Sequence, residues 1–295
     1  RELAAYLRKP LKPLTNTLTE TLSNIWPVAV HDSAACPFYG ARLIEGVTVV
    51  RSPDWLKNRL ESIGLRPINV VADITNFVLH DIGYPLHAFD ADKLAGNKII
   101  VRRSRKGERL LALDHKTYDL PEGLLIIADG EKPVALAGVM GGEDASVTKK
   151  TTRVVLEGAY FAPAEVRKSS QKTRLRSDSS YRFERGADPE GAREAAARAA
   201  DLMTQLAGGS VAKAAEVRAP RTPNPLVKTT VSRLNAILGA SFAAADVQGA
   251  LRAIAPDLKA AGDALELRAP SWRRDLATAH DLAEEVGRLL GYDNI

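Results

Sequence analysis

One histidine, His87, lies in the segment GYPLHAFD (83–90), directly after the turn-forming residues Gly-Tyr-Pro. A proline breaks a helix, so His87 cannot be one of two metal ligands spaced along a helix face. Two interpretations remain open. Either the imidazole is a buried, hydrogen-bonded part of the core, or it points into a pocket that uses it.

A carboxylate, Glu157, interrupts the apolar strand pattern VVLEGAYF (154–161). Strand alternation would place Val155 and Glu157 on one face and Leu156 and Gly158 on the other. Burying such a carboxylate without a partner costs at least ~1–3 kcal/mol. Glu157 therefore either lies at an edge or on the surface, or it is an acceptor that a pocket requires.

The segment GVMGGED (138–144) is rich in glycine, but it matches no phosphate-binding loop, and the chain has no G-x-S-x-G nucleophile elbow. The segment is either a tight turn between strands or a loop whose bare backbone lets a ligand approach its N–H groups.

The segment 166–186 contains seven Lys or Arg residues, five serines and only two acids, Asp178 and Glu184. Such a stretch is usually a solvated face. With Tyr181 and Phe183 interleaved, it could also bind a phosphate backbone.

Four carboxylates, Asp275, Asp281, Glu284 and Glu285, lie close together near the end of the chain. On a helix, the last three share one face. Oxygen ligands at this density suit Mg²⁺. The alternative is that Thr278 and Asp281 form a capping box, with the acids complementing the helix dipole.

The 295 residues leave room for two domains, and 45% hydrophobic and 26% charged residues are typical of soluble globular proteins. The net charge of +5 permits an acidic partner without requiring one. The single cysteine, Cys36, excludes an internal disulfide and a Cys-rich zinc site, and it suits an apolar filler in a reducing, cytoplasmic setting. No apolar run approaches the ~18 residues of a membrane span. Because the chain starts at Arg1, without a signal peptide, we expect a piece of a longer polypeptide.

Helices and strands must position these residues. Helices are predicted for 52–64, capped by Ser52, for 69–83 and for 189–209. Between residues 97 and 161, short β-branched runs separated by Gly, Asp or Lys-Gly turns predict the strands of a mixed or antiparallel sheet. The proline-rich segment RAPRTPNP (218–225) is typical of a linker.

After that linker, the pattern predicts a small module: a strand, two helices, a hairpin turning at Gly262-Asp263 and a last helix. This order favours a winged-helix-like α/β fold. The predicted fold class is therefore α+β, a mixed-sheet domain followed by this small module.

Five blocks of sequence resemble the β subunit of bacterial phenylalanine–tRNA ligase, in the right order and spacing over essentially the whole chain. They are LRPINVVADITNFVLHDIGYPLHAFD, AGVMGGEDASV, VVLEGAYF, RLRSDSSYRFERGADP and PSWRRDLATAHDLAEEVGRLLGYDNI. The resemblance implies a tail of a preceding domain and a linker (1–45), a B3/B4 editing domain (46–220) and a B5 domain (221–295).

In that family the B3/B4 domain hydrolyses tyrosine wrongly esterified to tRNA(Phe). By motif, the resemblance implies catalytic roles for His87 and Glu157. It places Arg66, Gly141, Ser177 and Ser179 in the editing pocket. The family usually shows Thr and Ala at the two serine positions and His at Tyr181. Ser177 keeps a hydroxyl, whereas Ser179 adds a polar group to an apolar wall.

The family motif D-x5-D-L-x-E-E, which binds Mg²⁺ together with the α subunit, matches Asp275, Asp281, Glu284 and Glu285. The resemblance also implies tRNA(Phe) and the α subunit as partners in an α2β2 heterotetramer, with no membrane partner. The full enzyme uses ATP, which this piece is not expected to bind, and the piece alone is not expected to ligate. The alternative is a nucleic-acid-binding or scaffolding module without hydrolytic activity.

Overall fold

The computed structural model describes residues 1–12, 14, 17–220 and 223–295. The helices are α1 (Glu2–Tyr6), α2 (Asp54–Ser62), α3 (Val70–Ile82), α4 (Pro163–Thr173), α5 (Asp178–Phe183), α6 (Gly191–Ala207), α7 (Val231–Leu238), α8 (Ala244–Ile254) and α9 (Ala279–Leu290). The strands are β1 (Val28–Val30), β2 (Phe38–Glu45), β3 (His87–Asp90), β4 (Ile99–Arg103), β5 (Arg109–Leu111), β6 (Thr117–Asp119), β7 (Leu125–Ala128), β8 (Pro133–Leu136), β9 (Met140–Gly141), β10 (Arg153–Tyr160), β11 (Ser210–Val211), β12 (Ala215–Arg218), β13 (Leu226–Thr230), β14 (Lys259–Ala261) and β15 (Ala264–Arg268).

The chain divides into two compact units. The larger unit is Asn16–Arg221, and the smaller unit is Arg1–Thr15 together with Thr222–Ile295. The predicted linker 218–225 includes Arg221 and Thr222, which lie outside the described residues.

The larger unit contains two five-stranded sheets and a short hairpin, β5–β6. One sheet has the order β1-β4-β7-β8-β9 and is mixed, because β1 runs parallel to β4 while the other pairs are antiparallel. The other sheet has the order β11-β2-β10-β3, with β12 also paired to β2, and is antiparallel throughout. These sheets confirm the predicted α+β class.

Strand β10 lies between β2 and β3, so both of its edges are paired. Every residue from Val154 to Tyr160 is buried. This explains why its sequence is apolar on both faces instead of alternating, since a strand covered on both faces reads as a continuous apolar run. It also excludes the edge and surface interpretations of Glu157.

Helix α3 and the turn after it bring His87 into this sheet. Asn69 caps the helix by accepting hydrogen bonds from the Val71 and Ala72 N–H groups. Gly83 ends it in the left-handed region at φ 78°, which glycine adopts without steric cost. The Tyr84 hydroxyl then donates to the Ala159 carbonyl at 2.9 Å, which fixes the turn against β10.

Two of the expectations from sequence differ from the structure. Ser52 does not cap α2, because its hydroxyl donates to Asp73 Oδ2 at 2.5 Å and Pro53 is the N-cap. The segment 1–45 is not simply a tail, because strand β2 within it pairs along its whole length with β10. Residues 17–45 therefore belong to the larger unit, which begins before the predicted boundary at residue 46.

The smaller unit has the antiparallel sheet β13-β15-β14 and the helices α1, α7, α8 and α9. Its core includes Leu234, Leu251, Leu267 and Leu282, which are fully buried. The predicted hairpin is confirmed as β14–β15 with its turn at Gly262-Asp263.

The Gly158→Ala substitution tests the close packing of α6 on β10. A Cβ at Gly158 would lie 2.9 Å from the Ala192 carbonyl oxygen and 3.0 Å from Ala196 Cβ, so the helix must shift. We expect a loss of about 1–3 kcal/mol in the free energy of unfolding, as for overpacking elsewhere. Urea unfolding measures this loss, with hydrogen exchange in peptides of each unit as the signal.

Gly249→Ala is the matched control, because a methyl group on this exposed α8 residue meets nothing within 4 Å. It should stabilise its helix by up to ~1 kcal/mol. A Gly158→Ala chain as stable as the native one would contradict the packing described here.

Candidate functional site

The sheet register brings the two residues singled out by their chemistry together. His87 in β3 pairs directly with Glu157 in β10. Directly opposed residues of an antiparallel pair project from the same face of the sheet, with Cβ atoms about 4.5–5.5 Å apart. Residues separated by 70 positions in the chain are therefore neighbours on one face.

Both side chains line one small cavity, with a volume of about 50 Å³. Ten of its thirteen lining residues are apolar or glycine, and its polar side chains are His87, Glu157 and Ser179. The other lining residues are Pro85, Leu86, Ile127, Ala135, Leu136, Gly138, Val139, Met140, Gly141 and Phe183. An apolar cavity with a few convergent polar groups is the usual form of a small-molecule site.

Glu157 is 6% exposed, and its carboxylate has one partner among the described residues. The Tyr39 hydroxyl donates to Glu157 Oε2 at 2.7 Å, inside the core. Burial raises the pKa of Glu157 from 4.5 to about 7, although the bond from Tyr39 acts in the opposite direction. Near neutral pH this carboxyl group therefore exists in both protonation states.

His87 is half-buried as a residue, but its Nε2 atom is buried and has no hydrogen-bond partner among the described residues. Its ring packs edge-on against Phe89, with the ring centroids 4.5 Å apart. Burial lowers the pKa of His87 from 6.5 to about 4, so the imidazole is neutral at pH 7. The structure thus excludes the hydrogen-bonded core histidine, and leaves a buried ring nitrogen without a partner on a residue that lines the cavity.

The glycine-rich segment is both a turn and a close approach to this imidazole. Gly138 lies at φ 68°, in the left-handed region. A Cβ on Gly141, at the end of β9, would lie within 2.5 Å of His87 Nε2. Only glycine therefore leaves the imidazole in its place, which gives Gly141 a physical reason to be at the cavity.

The two serines of the RSDSS segment have different environments. Ser177 is the N-cap of α5: its Oγ accepts from the Ser180 N–H and donates to the Val139 carbonyl at 2.5 Å. Its hydroxyl is thus committed to holding the helix and the glycine-rich turn, and Ser177 is not among the lining residues. Ser179 does line the cavity, with Phe183 one helical turn later.

Arg66 is not brought to the cavity. It is exposed in the segment between α2 and α3, and it is absent from the described lining. Sequence reasoning also missed a residue that does reach the site, Tyr39 in CPFYGAR. Its signal was an aromatic residue in a strand pattern, whose partner strand lies more than a hundred residues later.

The four acids of the smaller unit do not form a metal-binding group among the described residues. Arg273 binds both Asp275, at 2.6 Å, and Glu285, at 2.9 Å, and Arg288 also binds Glu285 at 2.5 Å. Asp281 forms the predicted capping box with Thr278.

Glu284 is exposed at this end of the smaller unit. Two guanidinium groups thus satisfy the buried part of this acidic set, and the arrangement does not fit a shared Mg²⁺ site as it stands.

The basic segment 166–186 keeps an excess of free positive charge. Asp178 pairs with Arg182 and Glu184 with Arg185, so both acids of the segment are neutralised within it. The exposed residues Lys172, Arg174 and Arg176 have no ion pair with another described residue. The last of them directly precedes Ser177 and the short helix that contributes Ser179 to the cavity.

Family models match both units of the chain. The model described as the B3/4 domain matches residues 35–208, and that of the tRNA synthetase B5 domain matches residues 227–292. The chain belongs to the B3/4 domain family. The B3/4 model begins before β2, in agreement with the pairing of this strand in the larger unit.

The relatives of the chain are β subunits of phenylalanine–tRNA ligase, which confirms the resemblance found in the sequence. The subunit from Salinibacter ruber is 46% identical over 91% of this chain and 32% of the relative. That from Rhodopirellula baltica is 42% identical over 100% of this chain and 44% of the relative. The chain thus spans less than half the length of these relatives.

Among solved structures, the chain is similar to an N-terminal fragment of the phenylalanyl-tRNA synthetase β subunit from Pyrococcus horikoshii. The identity is 14% and the TM-score 0.44, over 93% of this chain and 77% of that chain. Within the described residues, none of the helices has both the length and the apolar character needed to cross a membrane.

Glu157 and His87 in the B3/4 domain should affect stability with opposite dependence on pH. Folded Glu157 keeps a proton up to pH about 7 that the unfolded chain loses near 4.5, so its contribution to stability falls between these values. Folded His87 is neutral down to pH about 4, whereas the unfolded histidine is protonated below 6.5, so its contribution rises with pH. The two slopes offset each other where they overlap.

Single substitutions should expose each slope. Relative to the native chain, Glu157→Gln should gain roughly 3 kcal/mol in free energy of unfolding as the pH rises from 4.5 to 7. His87→Gln should lose roughly 3 kcal/mol between pH 4 and 6.5. Urea unfolding at a series of pH values measures both, and differences that do not vary with pH would contradict the two shifted pKa values.

The smaller unit provides a test of the acidic set. Because Arg273 and Arg288 already neutralise Glu285, we expect millimolar MgCl₂ to leave the thermal unfolding midpoint of this chain where matched ionic strength in NaCl leaves it. A ligand that binds only the folded state would raise the midpoint, and a saturable rise specific to Mg²⁺ would show that the arginines yield to the metal.

Proposed function

We propose that the cavity of the B3/4 domain hydrolyses tyrosine wrongly esterified to tRNA(Phe), in support of aminoacylation by the phenylalanine–tRNA ligase to which the chain would belong. The observation that supports this most directly is a pair of incompletely hydrogen-bonded polar groups on two residues that line the same cavity. These are the Glu157 carboxylate, which retains one oxygen without a described partner, and His87 Nε2, which has none.

Specificity follows from the cost of leaving a buried polar group unpaired. The phenol of a tyrosyl ester can donate a hydrogen bond to the free oxygen of Glu157. A phenylalanyl ester in the same position would exclude water from that oxygen without replacing the bond, at a cost of about 1–3 kcal/mol. The cavity would therefore accept the mischarged product and spare the correct one, a selection that a synthetic site makes poorly against an added hydroxyl.

The chemistry requires little more than a positioned water. Water attacks the carbonyl carbon of the aminoacyl ester, the bond from that carbon to the ribose oxygen breaks, and the ribose oxygen takes up a proton as tyrosine leaves. Neutral His87 would accept a proton from this water and return it to the ribose oxygen, which requires that substrate binding expose its buried Nε2. The buried thiol of Cys36, whose pKa burial raises further, is unsuited as a nucleophile.

The remaining expectations for the whole protein fit this function. We propose that the chain combines an editing B3/4 domain and a B5 domain within a cytoplasmic α2β2 enzyme that uses ATP and Mg²⁺. The free cations Lys172, Arg174 and Arg176 would contact the tRNA(Phe) backbone beside the cavity. Arginine side chains now bind two of the four carboxylates that would hold Mg²⁺ in that enzyme. The α subunit would therefore have to provide metal ligands in place of these two carboxylates.

A second candidate, binding of nucleic acid without hydrolysis, is favoured by the same three cations alone. It gives no role to His87 Nε2, a buried polar atom without a partner among the described residues, although such an atom costs stability. The hydrolysis experiment below separates the two candidates.

The test is deacylation of Tyr-tRNA(Phe) and Phe-tRNA(Phe) by the full-length β subunit assembled with its α partner. We expect His87→Ala to lower hydrolysis of the tyrosyl ester by a factor of about 10² or more, the usual contribution of a positioned proton carrier. Glu157→Ala should lower the preference for the tyrosyl over the phenylalanyl ester by a factor of about 5 to 150, equivalent to the cost of the unpaired group.

Matched controls are His80→Ala and Glu122→Ala, which remove the same groups from exposed positions away from the cavity. Both should deacylate like the native enzyme. No hydrolysis of either ester by the native enzyme, with tRNA binding intact, would support the binding module instead.

A further inference from the structure

Tyr39 is the one side chain among the described residues that binds Glu157. It lies in β2, two residues before Ala41, which pairs with Glu157 across the sheet. Residues two apart in a strand share a face, so Tyr39 reaches the carboxylate diagonally. The residue is fully buried, and its hydroxyl donates to Oε2 at 2.7 Å.

This phenol occupies one of the two oxygens that a substrate phenol could use. Oε2 is satisfied from within the protein, and Oε1 has no partner among the described residues. A carboxylate oxygen can accept about two hydrogen bonds, but the buried phenol fixes the plane of the group. The cavity is therefore left with one oriented acceptor in place of a carboxylate that rotates.

The same bond favours the ionised form of Glu157. Burial acts against the negative charge of this carboxylate, and the Tyr39 hydroxyl is the hydrogen-bond donor that acts for it. A hydrogen bond to a charged group is also about twice as strong as one between neutral groups. A phenylalanyl ester should therefore bind less favourably beside ionised Glu157 than beside protonated Glu157, because burying an unpaired charge costs more than burying a neutral group.

We propose that Tyr39 is a positioning residue that sets the discrimination of this cavity, by orienting the Glu157 carboxyl group with Oε1 left for the phenol of the substrate. This rests on the proposed function only for the identity of the substrate. Tyr39 does not touch the substrate, and it acts through Glu157.

Four other titratable groups near Glu157 keep one charge state between pH 6 and 9. His87 on β3 is neutral above pH about 4. Burial raises the pKa values of Cys36 and Tyr84 well above their usual ranges, and the charge of Glu157 raises them further. Burial likewise raises the pKa of Tyr39, so its hydroxyl keeps the proton that it donates. Between pH 6 and 9, none of these four groups changes its charge, whereas Glu157 does.

The Tyr39→Phe variant removes the hydroxyl and keeps the ring. In the full-length enzyme with its α partner, we expect the preference for the tyrosyl over the phenylalanyl ester to fall about tenfold at pH 7, equivalent to one net hydrogen bond of about 1.4 kcal/mol. The preference should recover as the pH rises, once Glu157 ionises without Tyr39. Rates are corrected for spontaneous ester hydrolysis at each pH.

A measurement without tRNA separates the two proposals. Carbon-13 NMR of carboxyl-labelled glutamate in this chain, assigned with Glu157→Gln, should show the Glu157 titration displaced to higher pH in Tyr39→Phe. An unchanged titration would overturn the role of Tyr39 whatever the enzyme hydrolyses. A displaced titration in an enzyme that hydrolyses neither ester would support the role of Tyr39 and contradict only the proposed function.

Tyr84→Phe is the matched control. It removes the same hydroxyl from a second buried tyrosine, whose partner is the Ala159 carbonyl and not Glu157. It should cost similar stability and leave the titration of Glu157 and the ester preference unchanged. If both variants change the preference alike and neither effect recovers at high pH, Tyr39 is only a packing residue.

Discussion

A carboxylate buried in the middle of an antiparallel sheet is the constraint on which the site depends. Because β10 is paired on both edges, Glu157 cannot turn to solvent, and its neighbours are fixed by register. One neighbouring strand supplies the Tyr39 hydroxyl and the other the His87 imidazole. A shift of one residue in either pairing would move these groups to the opposite face of the sheet.

Local sequence patterns predicted most of the elements that build this sheet, because capping residues, glycine stops and β-branched runs act over a few residues. The helix ending at Gly83 and the strand containing Glu157 are examples. The resemblance to a known family brought His87, Glu157 and Gly141 together, and the structure places them in one cavity. Ser52 shows the limit of local reasoning, because a tertiary partner, Asp73, takes the hydroxyl that a cap would have used.

The part that the sequence did not reveal depends on contacts between distant residues. Tyr39 and Glu157 are 118 positions apart, and only the pairing of β2 with β10 makes them neighbours. Assigning the first 45 residues to a tail hid that pairing. In the smaller unit, helical spacing predicted one face for three acids, but Glu285 is buried and Glu284 is exposed, and spacing says nothing about cations. Arg273 decides how Asp275 and Glu285 are used.

The polar groups of the cavity are ones that selection for stability alone would remove. A buried Nε2 without a partner and a carboxyl group with its pKa raised to about 7 both lower the free energy of unfolding. A leucine or methionine at these positions would not have this cost. The larger unit tolerates them because β10 is covered on both faces and its apolar neighbours are fully buried. A failure of local consistency in an otherwise well-packed core is expected at functional or strained sites. Among the described residues of this unit, five buried side-chain polar atoms have no partner, and of these only His87 Nε2 belongs to a residue that lines the cavity. Tyr39 satisfies one oxygen of Glu157 and leaves the other.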